Sequence, residues 1–135
     1  MIEFTIPGEP KAQGRPRFST FGGFPRAIDP KESRDFKSRV AYFGQNANFY
    51  EADSGLRVRV DFYLKRPKNR QKKSDSVDPI RCFKKPDLDN LVKAIFDGLK
   101  GVCFRDDGQV GELHAQKFYH EINGQPRTVV TLEVI

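Results

Sequence analysis

The stretch "LRVRVDFYL", residues 56–64, decides the fold class. Its apolar residues stand at every second position and alternate with charged residues or tyrosine without a break. That spacing is typical of a β-strand with one buried face. We therefore predict a strand over residues 56–64 and assign the rest of the chain outward from it.

The chain before this strand predicts a shorter strand, a loop and a helix. Residues 1–6, "MIEFTI", alternate between apolar and polar positions, which again favours a half-buried strand. Residues 7–28 are rich in proline and positive charge and have no sustained period, so we expect a long exposed loop. Asp29 as a helix N-cap and Pro30 at the first helical position then predict a helix over residues 30–48.

The segment after the strand, residues 65–86, predicts a mobile basic loop without packed structure. It contains nine lysines and arginines, three prolines and little apolar material. From Asp87 onward apolar residues recur at helical spacing, and Gly98 and Gly101 stand near the end of that pattern. We therefore predict a second, short helix there.

The C-terminal part predicts two strands that form a hairpin. Asn123 and Gly124 are a strong hairpin signal between two runs of alternating residues, and Gly111 marks a bulge in the first run. The predicted order is strand, helix, strand, helix, strand, strand. This order indicates an α+β fold in which both helices pack on a mixed sheet, with residues 1–135 as a single domain.

Composition favours an anionic partner. The chain has 24 lysines and arginines against 18 acidic residues, a net charge of +6 and a calculated pI of about 9.4. No long apolar run or basic amphipathic helix stands out, so we expect nucleic acid and no membrane. The N-terminus lacks an export signal, which indicates a cytoplasmic protein. Cys82 and Cys103 have no metal-type spacing, so we expect reduced thiols without a catalytic role.

Two pairs of acids stand inside a basic stretch, "KKPDLDNLVKAIFDGLKGVCFRDDGQV", residues 84–110. Asp87 falls at the N-cap of the second helix and Asp89 in its first turn, where the helix dipole keeps carboxylates ionised and suited to a hard cation. Lys93 follows Asp89 by four residues, on the same helix face. Asp106 and Asp107 follow the helix, and a short connection would allow at least one of them to return towards this site.

A structural interpretation exists for each of these residues. Asp87 is then a helix cap, Asp89 a surface residue paired with Lys93, and the later acids a polar turn. For the whole set we favour function, because a phosphodiester-cleaving site explains why acids concentrate among cations. Carboxylates hold Mg²⁺, a lysine neutralises charge developing on phosphate, and the surrounding cations bind the DNA backbone.

The motif "DLDNLVKAIFDGL" followed by "DDGQV" resembles the RusA endodeoxyribonucleases, small Holliday junction resolvases often encoded by prophages. The resemblance implies a homodimer that binds four-way DNA junctions in recombination and repair. It also implies paired symmetric nicks that require Mg²⁺ or Mn²⁺ and no small-molecule cofactor. By this resemblance Asp87, Asp89 and Asp107 bind the metal and form the catalytic set with Lys93, and the role of Asp106 stays open.

Further cations are candidate DNA contacts, and two other functions stay open. The candidate phosphate contacts are Lys11, Arg15, Arg17, Lys72, Lys73, Arg81, Lys84 and Lys85. Phe83 either stacks on an exposed base or, as is commoner for an aromatic residue, is half-buried. The alternatives to a resolvase are a metal nuclease for flaps or other branched DNA and a non-catalytic DNA-binding accessory protein.

Overall fold

The structure is a computed structural model that describes residues 1–14, 17–19, 23 and 26–135, with only the backbone described at 17–19 and 26–28. It contains seven strands and two helices within these residues. In chain order they are β1 (Ile2–Pro7), β2 (Arg17–Ser19), β3 (Arg26–Ile28), α1 (Lys31–Gly44), β4 (Leu56–Leu64), β5 (Ile80–Arg81), α2 (Leu88–Leu99), β6 (Val110–Tyr119) and β7 (Arg127–Val134).

Strand β4 is the centre of a five-stranded mixed sheet with the order β1-β7-β4-β6-β5. It pairs antiparallel with β7 and parallel with β6, and the outer strands β1 and β5 are antiparallel to their neighbours. Every second residue of β4, from Leu56 to Leu64, is buried, as its alternation predicts. The α+β class with two helices packed on a mixed sheet is confirmed.

The predicted C-terminal hairpin is wrong. β6 and β7 do not pair with each other, because β4 lies between them. The connection passes the end of β4, where the His120 N–H donates to the carbonyl of Leu64 at 3.0 Å. Asn123 has a positive φ of 67°, so the turn signal marks a real turn, but within a crossing connection. The bulge at Gly111 is confirmed, since pairing with β4 skips that residue.

Two predicted loops contain short strands. Within residues 7–28, β2 pairs antiparallel with β3. Within residues 65–86, β5 adds to the edge of the sheet beside β6. These strands have only two or three residues each, too few to produce a detectable alternation in the sequence.

Helix α1 begins at Lys31 and ends at Gly44, four residues earlier than residues 30–48 predict. Pro30 is its N-cap, so the prediction of Asp29 as the cap is wrong. The Asp29 carboxylate instead accepts a hydrogen bond from the Lys37 ammonium at 2.6 Å, and this bond holds the pKa of Asp29 below its usual value.

The core lies between the two helices and one face of the sheet. Leu91, Ile95 and Leu99 of α2 are fully buried. They belong to one apolar cluster with side chains from β4, β7, β1 and α1. The helices also pack on each other, and none described here has both the length and the apolar character to span a membrane.

The helices approach each other most closely at Gly98. A Cβ atom there would lie 2.7 Å from Val40 Cγ1 and 3.0 Å from the carbonyl oxygen of Lys37. Neither atom is the far end of a flexible side chain, so the contact would force the two helices apart.

We therefore expect Gly98→Ala to lower the free energy of unfolding. Overpacking costs about 1–3 kcal/mol, and over most of this range the cost exceeds the roughly 1 kcal/mol that alanine gains over glycine inside a helix. Urea denaturation measures the change. The matched control is Gly111→Ala, whose Cβ would be 3.7 Å from the nearest atom, in Ile135. Equal stability of Gly98→Ala and the wild type would contradict the close helix contact.

Candidate functional site

Asp87 and Asp89 lie at the N-terminal end of α2, and both are exposed. Asp87 is the N-cap residue by position, with an extended backbone, but its side chain makes no capping hydrogen bond. Asp89 Oδ1 accepts the N–H of Asn90 at 2.9 Å. The Asp87 carboxylate is therefore not used to complete the helix, which weakens the purely structural interpretation of this residue.

Lys93 lies one turn further along α2, and its side chain is 62% exposed. Its ammonium is 3.9 Å from Asp97 Oδ2, which is also 4.0 Å from the ammonium of Lys37. The ion pair of Lys93 therefore points along the helix to Asp97, and not back to Asp89.

Asp106 and Asp107 lie close to the other end of α2. Asp106 Oδ1 is 3.6 Å from the ammonium of Lys100, the residue that directly follows the helix. Asp107 begins a single 3-10 turn that leads into β6. Its Oδ1 atom is buried and has no hydrogen-bond partner, which is an unfavourable state for a carboxylate oxygen.

Gln109 fixes the turn that carries these two acids. Its buried side-chain amide donates to the carbonyls of Glu51 and Ser54 at 2.8 and 3.1 Å. Its oxygen accepts the N–H groups of Arg105 and Asp106 at 2.8 and 3.1 Å. The position of Asp107 is thus set by a residue that the sequence shows only as one more polar side chain.

The two sets of acids are separated by the length of α2. Twelve helical residues span about 18 Å, so Asp87 and Asp89 stand far from Asp107 within one chain. Across residues 1–14, 17–19, 23 and 26–135, no three histidine, cysteine, aspartate or glutamate side chains are grouped closely enough to hold a metal ion. Within one chain, the connection after α2 therefore does not bring Asp106 or Asp107 into a metal-holding group with the first pair.

A lysine that sequence reasoning missed organises the approach to Asp87. The ammonium of Lys117, on β6, donates to the carbonyls of Lys84 and Pro86 at 2.5 and 2.8 Å. These bonds attach the backbone directly before Asp87 to the sheet. In the sequence Lys117 is only one more charged residue of a strand, so no local signal indicates this role.

The basic segment 65–86 is built around a buried arginine. Arg66 is 1% exposed, and its guanidinium donates to four backbone carbonyls. The acceptors are Arg70 at 2.6 Å, Ser76 at 2.7 Å, Asp78 at 3.0 Å and His120 at 3.5 Å. The prediction of a loop without packed structure is therefore wrong, because Arg66 supplies a polar centre where apolar residues are missing.

The predicted DNA contacts fall into three groups. Lys72, Lys73, Lys84 and Lys85 are exposed on the 65–86 segment, and the Arg81 guanidinium is 4.7 Å from the centre of the Phe118 ring. Lys11 is exposed on a segment tied to α2, since the Gln13 N–H donates to the carbonyl of Asn90 at 3.0 Å. Arg15 lies outside the described residues, and for Arg17 only the backbone, in β2, is described.

The cysteines and histidines have structural surroundings. Both cysteines are free and buried, and burial raises the pKa of Cys103 to about 11, so this thiol is protonated at neutral pH. His120 is buried, with Nδ1 2.7 Å from the carbonyl of Glu121. His114 pairs with Glu112 on the uncovered face of the sheet.

A sequence model of the endodeoxyribonuclease RusA family matches residues 7–133. The chain belongs to the RusA endodeoxyribonuclease family. Members of this family are nucleases that act on branched DNA junctions and generally depend on divalent metal ions. The chain is also 36% identical, over 140 residues, to the uncharacterized protein YqaN of Bacillus subtilis (strain 168). That match covers 99% of this chain and 96% of the relative.

The role of Arg66 predicts a local effect on the basic segment. We expect Arg66→Leu to speed amide hydrogen exchange in residues 67–79 by more than about tenfold, because the variant cannot form the charge-assisted hydrogen bonds that hold this backbone. The control is Arg70→Leu, whose exposed side chain is removed while its carbonyl is kept. Similar exchange in both variants would show that Arg66 does not organise the segment.

Proposed function

We propose that this protein is a divalent-metal-dependent endonuclease that resolves four-way DNA junctions by paired symmetric cleavage. The observation that carries the proposal is a set of acids at the two ends of α2, on a strongly basic chain that belongs to a junction-cleaving family. We further propose that it acts in the cytoplasm, in DNA recombination and repair, and that it has a prophage origin.

Asp87, Asp89 and Asp107 would hold the metal, Mg²⁺ with Mn²⁺ as a substitute. Their carboxylate oxygens are the hard ligands that Mg²⁺ prefers. Two observations support the fit of these residues to a metal ion. The Asp87 side chain makes no capping hydrogen bond, and Asp107 Oδ1 is buried without a hydrogen-bond partner. When bound, the metal would lower the pKa of a coordinated water and stabilise charge on the phosphate.

A complete metal site would take acids from two chains. Because α2, about 18 Å long, lies between the two sets, and no three such side chains are grouped within the described part of the chain, one chain does not place all three carboxylates around one ion. A homodimer that brings the start of α2 of one protomer to Asp107 of its partner would complete two equivalent sites. A twofold axis between them matches the two symmetric nicks that resolution of a junction requires.

Lys93 would neutralise the charge that develops on the cleaved phosphate. Its pair with the half-buried Asp97 is long, at 3.9 Å, and the lysine is exposed, and surface pairs of this kind are worth only about 0–1 kcal/mol. A phosphate placed beside Asp89 would therefore compete successfully for the ammonium. Lys93 would thus act by electrostatic stabilisation, with Asp97 as its resting partner.

The exposed cations would bind the DNA backbone around this site. Lys84 and Lys85 directly precede Pro86 and Asp87, and the Gln13 hydrogen bond holds the Lys11 segment against the first turn of α2. Lys72 and Lys73 extend the basic surface along the segment that Arg66 organises. Such contacts supply affinity without sequence preference.

One assay separates this function from its alternatives. A synthetic immobile junction, labelled on both strands of each arm, is incubated with the protein with and without Mg²⁺. We expect paired symmetric nicks only with the metal. Binding without nicking would favour an accessory protein, and faster cleavage of a flap competitor would favour a general nuclease for branched DNA.

The metal role of Asp89 predicts separate effects on cleavage and binding. We expect Asp89→Asn to abolish junction cleavage while junction affinity stays equal or increases, because the substitution also removes a negative charge near the phosphates. Gel-shift titration and cleavage of the same junction measure the two effects. Asp53→Asn, a change at an exposed acid in the loop before β4, serves as the control and should leave both unchanged. Wild-type cleavage by Asp89→Asn would remove Asp89 from the site.

The basic segment predicts a change in salt dependence. We expect neutralisation of Lys72, Lys73, Lys84 and Lys85 to reduce the slope of log affinity against log salt, for junction and duplex alike. The reduction should be about 0.9 for each DNA phosphate that these lysines neutralise in the wild type. Replacement of the same four residues by arginine keeps the charge and is the control. An unchanged slope, or a weakening confined to the junction, would contradict a sequence-blind backbone contact.

A further inference from the structure

Phe83 is far more exposed than a phenylalanine of this segment is expected to be. The residue is 89% exposed, so the half-buried state that is commoner for an aromatic residue does not apply. Burying such a side chain stabilises a protein through the hydrophobic effect, and this chain leaves that contribution unused. A ligand that covers the ring would gain from it.

The backbone on both sides of Phe83 is held in place. Cys82 before it is buried, and its N–H donates to the carbonyl of Lys117 at 3.2 Å. After it, the carbonyls of Lys84 and Pro86 accept from the Lys117 ammonium. The exposed ring therefore stands on a fixed support, so the binding of a ligand to it costs less conformational entropy.

The surroundings of the ring fit a nucleobase better than an apolar partner. An open groove of about 320 Å³ lies beside it, with Leu88, Gln116 and Lys117 among its walls. Arg81, Lys84 and Lys85 flank it in the chain and are exposed, so the ring projects from a strongly positive surface. An aromatic ring among cations beside an open groove has the chemistry that binds unpaired bases through stacking and their backbone through charge.

The position of Phe83 relates this contact to the candidate metal site. Leu88, the first residue of α2, lines the same groove, and Asp87 directly precedes it. A base stacked on Phe83 would therefore bring its own strand next to the carboxylates at the start of α2.

We propose that Phe83 stacks on an unpaired base at the branch point of a DNA junction and so positions the strand for cleavage. This inference rests on the proposed function, since it assumes a branched DNA substrate. Phe83 is then a specificity-determining contact for branched over duplex DNA, separate from the phosphate contacts of its lysine neighbours.

The test compares junction and duplex affinity in EDTA, where the DNA stays intact, for the wild type, Phe83→Ala and Phe83→Tyr. Stacking on an aromatic side chain is worth about 1–3 kcal/mol per base, so Phe83→Ala should bind the junction roughly 5- to 150-fold more weakly. Its duplex affinity should stay at the wild-type value. Phe83→Tyr, which keeps the ring, should bind the junction like the wild type. Because the side chain is exposed, folding should be unaffected.

A second readout and a control make the outcome specific. A 2-aminopurine base at the branch point, whose fluorescence depends on stacking, should change in fluorescence on binding of the wild type, and Phe83→Ala should not produce this change. Tyr42→Ala, which removes an aromatic residue 62% exposed on α1, should behave as the wild type in both assays.

The results also separate this inference from the proposed function. Equal junction affinity of the wild type and Phe83→Ala would overturn the stacking role while leaving the nuclease proposal in place. If light scattering shows that Phe83→Ala is a monomer while the wild type is a dimer, the stacking role is overturned in favour of a protein interface. A wild type with no preference for the junction over duplex would overturn the proposed function itself.

Discussion

The burial of α2 in the core between α1 and the sheet is the constraint on which the rest of the structure depends. Leu91, Ile95 and Leu99 are fully buried in the cluster that includes Val58 and Val60 of β4. That burial fixes the helix along the sheet as a rigid rod. Its first turn then carries Asp87 and Asp89, and the chain that leaves its last turn carries Asp106 and Asp107. The core thus decides that one chain keeps these acids apart, and we propose that a second chain completes the site.

The positive charge of the chain divides into structural and available cations. Arg66 is buried and donates its hydrogen bonds to backbone carbonyls. The ammonium of Lys117 donates to backbone carbonyls directly before Asp87. The exposed lysines of residues 65–86 lie on backbone that these two residues hold in place. A count of charges alone therefore overstates the number of cations that are free to bind DNA. It also misses that a buried cation can hold the backbone of a segment poor in apolar residues in a fixed conformation.

The sequence predicts the elements that have a long apolar period, and it fails where tertiary contacts decide. The alternation over residues 56–64 and the helical spacing after Asp87 give β4 and α2 with nearly correct bounds, because each buries one face. The hairpin prediction fails because a turn at Asn123-Gly124 does not specify which strand pairs with β7. For the candidate site, the exposed acids of α2 are visible as a motif. The separation of Asp107, the unpartnered Oδ1 and the support by Gln109 depend on contacts between residues distant in the chain.

A mixed dimer tests most directly the claim that acids from two chains form each metal site. The variants Asp89→Asn and Asp107→Asn are co-expressed with different tags, and the mixed dimer is isolated through both tags. In that dimer, Asp89 of one chain and Asp107 of the other are intact, so a shared arrangement restores one of the two sites. We predict that each variant alone is inactive and that the mixed dimer makes single nicks in junction DNA with Mg²⁺. A mixed dimer as inactive as its parents, beside an active wild-type dimer isolated in the same way, would contradict the account.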